Sequence, residues 1–456
     1  MPAVPDVVAI FDIGKTNKKL LVFDEAYQPV LEESIRVDEI PDEEGFPCDV
    51  IEAIEAWVRQ GIQRLTASRH FNLRAVNFST YGASLLHLDE QGRRIAPLYN
   101  YLKPYPAYLL NRFLETYGGA ARIGTETATP FTGHLNTGLQ LYWLKQERPE
   151  LFERIQCSLH FPQYLHYLLT GARAAELTTL GCHTGLWDFR RKEYHAWLSE
   201  EDILQKLPPA SGDRLSLPIS LYGREIRVGS GLHDSSAALV PYLLQLEEPF
   251  IVVSTGTWSI SLNPFNHSLP TADELAQGCL DYLSFRGNPV KASMLFAGHD
   301  HDEQVKRIAA HFLLQPSFYQ QLPYAPGNSI GQEERLRFVY NGGVQPSLFA
   351  LRGLSQFADV TAAYRCLMED ILLQQACSIR QITGSEGAGK ILVDGGFSRN
   401  QWFMQLLSEA FPGKEVMAAS TPQGTALGAA LAIHDHWNSS PLPAKLVSLQ
   451  HFPRGN

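Results

Sequence analysis

Hydrophobic residues recur along this chain with two periods, and the change from one to the other marks out its elements. Val7 to Phe11 and Lys19 to Phe23 are short apolar or β-branched runs on either side of a turn at Gly14, a pattern that predicts a β-hairpin. A helix follows, with Asp49 read as its N-cap. Ile51, Ile54, Trp57, Val58, Ile62 and Leu65 recur every three or four residues, and Glu52 occupies the position a capping box requires. Such a helix has one apolar stripe and packs on a sheet. RAVNFSTYGASLLHLDEQGRRIAPLYNY alternates strand-like runs with turn signals, whereas GLQLYWLKQERPELFERI and PQYLHYLLTGARA have helical spacing. The first half is therefore expected to be α/β with a helical insert.

Proline, serine and glycine become dense in PPASGDRLSLPISLYGREIRVGSG, which sets a domain junction near Leu232. The second half opens on FIVVSTGTWSISLNP, another strand, glycine turn and strand, and so echoes the first hairpin in layout. Thr361 to Ile382 reads as a long helix and Ile391 to Val393 as a buried strand. QWFMQLLSEAF and GTALGAALAIHDHW read as two further helices.

Length and composition narrow the function. A chain of 456 residues with 45% hydrophobic content can bury more core than one ordinary domain needs, so two domains are expected. A net charge of -10 with no basic run excludes nucleic acid or an anionic membrane as the main partner. Six cysteines without a CxxC pair are too sparse for a disulfide framework and read as reduced cytoplasmic thiols. MPAVPDVVAIFDIG lacks a basic start and an apolar core, so no targeting segment or membrane helix is expected.

Three glycine sites carry candidate chemistry. The turn at Gly14, with Asp12, Lys15, Thr16, Asn17, Lys18 and Lys19 around it, and the turn at Thr255, Gly256 and Thr257 can each expose backbone N–H groups as an anion-sized concavity suited to phosphate. Asp12 can offer an oxygen to Mg²⁺ and the lysines can offset phosphate charge. Taken singly, each turn is equally an ordinary hairpin with solvated lysines. At the third site, ILVDGGFSRNQWFMQLLSE, a strand ends on Asp394, Gly395 and Gly396 and a helix starts near Asn400, where a flat nucleoside can approach the backbone. A plain strand-to-helix turn is the alternative. In GLHDSSAAL, Asp234 precedes an apparent helix and is either its N-cap or a catalytic carboxylate.

Other stretches resemble sites without the required pattern. GSEGAGK imitates a P-loop but has Ile391 in place of Ser or Thr and leads into a strand. GHDHDE from Gly298, and HDH at His434 to His436, fit no standard metal spacing and read as a solvated loop or helix start. The polar, aromatic LYNYLKPYPAY can line a carbohydrate pocket.

In order along the chain, DIGKTNKK, GLHDSSAAL, STGTWSISLNP, VDGGFSRNQWFMQLLSE and TPQGTALGAALAI resemble five motifs of the FGGY carbohydrate kinases. They are similar to the family's first phosphate loop, catalytic-base segment, second phosphate loop, adenosine motif and closing helix respectively. The DxGxTN form and the SxGTW loop are most similar to the family's kinases of deoxy-ketoses. The resemblance implies an α/β fold of two ribonuclease-H-like, actin-like ATPase domains flanking a cleft. Residues 1–232 would form an N-terminal sugar-binding domain and 233–456 a C-terminal nucleotide-binding domain. It implies ATP and Mg²⁺ as cofactors and a ketose or deoxy-ketose such as L-fuculose or L-rhamnulose as substrate. Homodimers are common in such kinases, though no patch in this sequence identifies one.

Carried over residue by residue, the resemblance makes Asp234 the base that takes a proton from the attacking sugar hydroxyl. It gives Asp12, Gly14, Lys15, Thr16, Asn17, Lys19, Thr255, Gly256, Thr257, Gly395, Gly396 and Asn400 to the nucleotide and its phosphates, with Asp12 and Asp234 as metal ligands. Tyr81, Gly82, Ala83, Tyr99, Asn100, His134 and Asn136 match sugar-pocket positions, beside Asp234 itself. Three departures stand out: Lys15 where the family has a small residue, Tyr99–Asn100–Tyr101 where many members have tryptophan and then an acid, and Gln140 where a lysine is expected. A sugar-responsive regulator that has lost turnover, or an actin-like ATPase acting on proteins, are the rival readings.

Overall fold

The computed structural model describes residues 4–210, 216–324, 347–384, 387–421 and 423–452. Residues 1–3 of the N-terminal stretch, 211–215 of the Pro/Ser/Gly-rich stretch, 385–386 of the P-loop look-alike and 422 of the closing motif lie outside the described residues. The chain forms two compact units, each discontinuous in sequence. The first comprises Met1–Gln245, Tyr282–Asn288 and Pro422–Leu446, and the second Leu246–Asp281, Pro289–Thr421 and Val447–Asn456. The expected boundary near Leu232 precedes the helix Asp234–Gln245, which belongs with the first unit. Among the described residues no helix is long and apolar enough to cross a membrane.

In the first unit the predicted hairpin pairs Asp6–Ile13 with Lys18–Asp24, antiparallel, and Pro29–Ile35 continues the meander. On the other side of Asp6–Ile13 the strand Asn72–Thr80 runs parallel, followed by Arg224–Gly229 and Ser216–Leu221. The central strand is apolar on both faces, as a strand covered on both sides must be. Val7, Ala9, Phe11 and Ile13 pack with Ile54, Val58 and Ile62 of the helix Ile51–Thr66. Val8 and Ile10 point the other way, into Ala237, Val240, Ala426 and Ala430 of the helices Asp234–Gln245 and Gly424–Leu431. Because side chains alternate along a strand, Asp12 follows Val8 and Ile10 onto this second face.

The second unit repeats the arrangement. Phe250–Thr255 pairs antiparallel with Ser259–Asn263, which pairs antiparallel with Pro289–Leu295, while Lys390–Gly395 and Glu415–Ser420 extend the sheet in parallel. Ile251 and Val253 pack on the helices Ala297–Phe312, Val360–Thr383 and Gln401–Ala410 through Ile308, Leu367, Ile371 and Phe403. Both units thus contain three antiparallel strands whose first member also heads a parallel set, which accounts for the echo between the two halves.

One capping expectation fails. The helix Ile51–Thr66 has Val50 at its N-cap with no side-chain hydrogen bond, and Glu52 pairs with Arg94. Asp49 turns instead to Lys18 and Lys15, at 2.8 and 3.1 Å. An ionised carboxylate gains more from two ammonium groups than from one orphan N–H.

Helix contact in the first unit depends on Gly428. A Cβ there would stand 1.8 Å from the Ala237 carbonyl oxygen, so the two helices meet backbone to backbone. Gly428→Ala is expected to cost about 1–3 kcal/mol despite alanine's better helix propensity. Gly413→Ala, with nothing within 4 Å of the added Cβ, should be close to neutral. Urea unfolding midpoints check this, and equal midpoints for the two variants would show that the helices are not so tightly joined.

Candidate active site

Three parallel strands of the first unit end at one edge. Asp12 pairs in register with Ser79, Ser79 with Leu232, and Thr80 with His233. Ligands of α/β sheets gather at such carboxyl ends. Here the register brings two acids, Asp12 and Asp234, to neighbouring strand ends. Asp12 accepts a hydrogen bond from the Thr425 hydroxyl at 2.6 Å. Burial pushes its pKa up to about 6; the Thr425 bond opposes this and the nearby Asp234 charge adds to it.

Asp234 begins the helix Asp234–Gln245 and acts at once as a local cap. Its Oδ1 accepts from the Ser235 N–H at 2.6 Å and the Ser235 hydroxyl at 3.3 Å. The His233 ring lies 3.3 Å from the same oxygen. Oδ2 has no hydrogen-bond partner among the described residues. Dense surroundings push this carboxyl too up to about 6, against the Ser235 bonds, while 30% of the side chain stays open. The capping and chemical readings of Asp234 are therefore compatible, with one oxygen fixed and the other available.

The Gly14 turn closes with the Gly14 N–H on the Asn17 carbonyl at 2.9 Å and leaves Thr16 and Asn17 exposed. Lys19 lies opposite Asp12 and pairs with Glu32 at 3.1 Å. Lys15 reaches away from the turn to Glu39 at 2.7 Å and to Asp49. Lys18 is buried between the Lys15 carbonyl and Asp49.

The candidate sugar positions form two sets. Tyr81, Gly82 and Ala83 continue from the carboxyl end of the strand Asn72–Thr80. The Tyr81 hydroxyl donates to Asp49 at 2.7 Å, and a Cβ at Gly82 would press on the His233 and His183 rings at 3.0 and 3.2 Å. Ala83 is left-handed at φ 59. Gln140, the third departure, ties this turn to His134 by donating to the Ala83 and His134 carbonyls at 2.7 and 2.5 Å. Asn136 joins the Pro130, Thr132 and His183 backbones. His134 is buried with no hydrogen-bond partner at either ring nitrogen among the described residues, and burial, with Lys103 nearby, lowers its pKa to about 4. Tyr99 and Asn100 are committed elsewhere, to Glu43 and to the Pro47 carbonyl.

In the second unit a cavity of about 620 Å³ is lined by Thr255, Gly256, Thr257, Gly396 and Asn400, among the predicted nucleotide residues. Gly256 and Thr257 are exposed on their turn, which closes with the Gly256 N–H on the Trp258 carbonyl at 2.8 Å. The Thr255 hydroxyl donates to the Asp394 carbonyl at 2.5 Å and accepts from the Phe397 N–H at 3.0 Å, so it braces the floor. Gly395, at φ 89, has no room for a side chain, since its Cβ would lie 1.9 Å from the Thr255 carbonyl. Asn400 caps Gln401–Ala410 by accepting from the Phe403 N–H at 3.2 Å and donates to the Tyr364 hydroxyl at 2.8 Å.

The sequence reading missed other contributors. His301, Tyr319, Phe397 and Trp402 line the cavity walls. GHDHDE reads as a solvated loop or helix start and does begin the helix Ala297–Phe312, but within it His301 is buried and bonds the Tyr364 hydroxyl at 3.1 Å. Its spacing to Ala297, Val305 and Ile308 on one helix face is the signal that identifies it. Thr425 lay within the motif read as a closing helix. His434 and His436 bond Tyr27 and Ser216, which gives them structural roles.

The family model described as "FGGY family of carbohydrate kinases, N-terminal domain" matches residues 7–210, and its C-terminal counterpart matches 315–433. A rhamnulokinase of Yersinia pestis (strain Pestoides F) is 28% identical over 287 residues, 59% of this chain and 56% of the relative. A rhamnulokinase of Halalkalibacterium halodurans is 26% identical over 262 residues, 55% and 54% of the two chains. The chain thus spans about half the length of the curated relatives it matches. A carbohydrate kinase from Novosphingobium aromaticivorans superposes with a TM-score of 0.77 at 19% identity, over 99% of this chain and 95% of that one. A ligand-bound xylulose kinase from Lactobacillus acidophilus gives 0.77 at 17% identity, over 95% and 90%. At these identities the likeness establishes the fold, a two-domain α/β architecture of the actin-like ATPase type.

The Lys15–Lys18–Asp49–Tyr81 cluster beneath the first turn generates a test of its own. Burial works against Asp49 ionising, but Lys18, Tyr81 and Lys15 hold its pKa below the usual carboxylate range. Lys18→Met removes the buried partner of a buried charge and should destabilise the protein by about 3–5 kcal/mol. Lys15→Ala, at the half-open end of the cluster, should cost about 1 kcal/mol or less. Denaturant unfolding of the two variants decides the order, and a larger loss from Lys15→Ala would contradict it.

Proposed function

This chain belongs to the FGGY family of carbohydrate kinases, and from that premise we propose that it transfers the γ-phosphate of ATP to a hydroxyl of a ketose or deoxy-ketose, such as L-rhamnulose or L-fuculose. The observation that carries the reading is the state of Asp234: a carboxylate with one oxygen fixed, one open and its pKa raised to about 6. A base of that strength remains mostly ionised at neutral pH and accepts a proton more readily than an ordinary aspartate does. As the sugar oxygen forms its bond to Pγ, the hydroxyl proton passes to Asp234 Oδ2. The Pγ–O bond to the β-phosphate breaks and ADP leaves.

Positioning and charge neutralisation dominate phosphoryl transfer. The exposed side chains of Thr16, Asn17 and Thr257, the last beside the close turn at Gly256, suit phosphate oxygens, and the second unit's cavity has the size and aromatic walls a nucleoside takes. Asp12, with Asp234 near it, fits Mg²⁺: both are oxygen donors whose ionisation burial opposes, and a hard dication would offset that. When bound, Mg²⁺ supplies neutralisation of the phosphate charge. Lys15 works in this scheme by fixing the turn through Glu39 and Asp49.

For the sugar we assign Gly82, Ala83, His134 and Asn136 to the pocket wall, with Gln140 holding that wall together. Tyr81, Tyr99 and Asn100 shape it, their polar groups being engaged elsewhere. None of the six cysteines is disulfide-bonded, which suits a reducing cytoplasm.

ATP consumption measured across a panel of ketoses and polyols tests the proposal. Turnover should depend on sugar, and Asp234→Asn should lower it by about 10²-fold or more while ATP still binds. Sign follows from protonation: below pH about 6 the base carries a proton, so the rate should fall as pH drops through that value. Sugar-independent turnover, or normal rates for Asp234→Asn, would overturn it.

A further inference from the structure

Next to Asp234 the first unit gathers three side chains that phosphoryl transfer does not need in this combination. Cys182, His183 and His233 are all buried, and each offers a ligand atom within 4.8 Å of the other two. They come from two segments that the fold locks together. Glu176 caps the short helix Leu177–Leu180, accepting from the Thr178 and Thr179 N–H groups at 3.0 and 3.2 Å. The Thr178 hydroxyl oxygen accepts from the His233 N–H at 3.0 Å, pinning the strand Leu232–His233 to the helix whose end carries Cys182 and His183.

His183 is prepared as a neutral ligand, while His233 has Nδ1 3.4 Å from the Ser236 hydroxyl and Nε2 3.3 Å from Asp234, contacts that a bound ion would partly replace. His183 Nδ1 lies 3.0 Å from the Leu135 carbonyl, which fixes the proton on that nitrogen and leaves the Nε2 lone pair outward. An outer-shell carbonyl of this kind is what metal-bound imidazoles commonly use. The His183 and His233 rings stand perpendicular with centroids 5.8 Å apart, so they converge without stacking. The Cys182 thiol donates to the Thr179 carbonyl at 3.1 Å. Burial keeps both imidazoles neutral, with pKa values lowered to about 3 and about 4.

We propose that Cys182, His183 and His233 form a site for a thiophilic dication of the Zn²⁺ type, and that filling it stops phosphoryl transfer. One thiolate and two imidazoles suit zinc and not magnesium, which prefers oxygen. Around tetrahedral zinc the ligand atoms stand roughly 3.3–3.7 Å apart, so the trio needs to contract by about 1 Å, within the reach of side-chain rotation. Binding forms one Zn–S and two Zn–N bonds and releases the thiol proton to solvent. The fourth position remains open to water. His233 lies 3.3 Å from Asp234 Oδ1, so an ion held there pins the residue adjoining the base and occupies space beside it. The inhibitory half rests on the kinase reading; the site itself does not.

Co²⁺ serves as the spectroscopic probe, added to the metal-free full chain in excess Mg²⁺. One equivalent should bind with tetrahedral d–d absorption and a thiolate-to-cobalt charge-transfer band. Cys182→Ser should abolish the charge-transfer band, and His183→Gln should weaken binding at least tenfold. Absence of the band in the wild-type chain, or its persistence in Cys182→Ser, overturns the site, and the wild-type result stands even where a variant fails to fold. Zn²⁺ should inhibit sugar-dependent ATP consumption at least tenfold more strongly in the wild type than in Cys182→Ser. Equal inhibition overturns the control. A chain that binds cobalt with the thiolate band but phosphorylates no sugar supports the site and counts against the kinase reading alone.

Discussion

Two carboxylates held where neither ionises easily are the constraint on which the first unit is organised. The parallel register of Asp6–Ile13, Asn72–Thr80 and Leu232–His233 brings their carboxyl ends to one edge. Strand alternation then turns Asp12 onto the face covered by the helices Asp234–Gln245 and Gly424–Leu431. Moving the strand by one residue would send Asp12 to the opposite face, under the helix Ile51–Thr66, and Asp234 would have no companion. The charge that burial makes costly is the charge a phosphate-bound dication and a migrating proton would relieve.

The second buried charge set near the Gly14 turn is solved differently. Asp49 is satisfied within the protein by two lysines and Tyr81, so it asks for no ligand. The two sets differ in completeness: Asp49 is fully partnered, while Asp234 keeps one oxygen open. That contrast separates a satisfied cluster from an open one more sharply than residue type does, since both contain aspartates beside a glycine turn or a helix start.

Much of the fold was legible because its signals are local. Both hairpins follow from short apolar runs around a glycine, and the helix Ile51–Thr66 from its three-to-four spacing. Asp234 could be identified with its helix, and Asn400 with its cap, from neighbouring residues alone. What stayed hidden depends on segments distant in sequence. Asp49 reads as a helix cap until Lys18 and Lys15 are seen to reach it. Thr425 has no visible link to Asp12, which lies at the far end of the chain. The interleaving of 282–288 and 422–446 with the first unit leaves no local mark either. Fold resemblance supplied the order of motifs, but the commitments of Lys15, Tyr99, Asn100 and Gln140 needed coordinates.

The central claim is that Asp12 and Asp234 are two buried carboxylates whose ionisation the fold resists. Carboxyl carbon NMR on aspartate-labelled protein, assigned with Asp12→Asn and Asp234→Asn, measures this directly. The account predicts a midpoint near pH about 6 for each residue in the free protein and a fall in both when Mg²⁺ and ATP are added. Midpoints near about 4 for both residues, unmoved by Mg²⁺ and ATP, would contradict it.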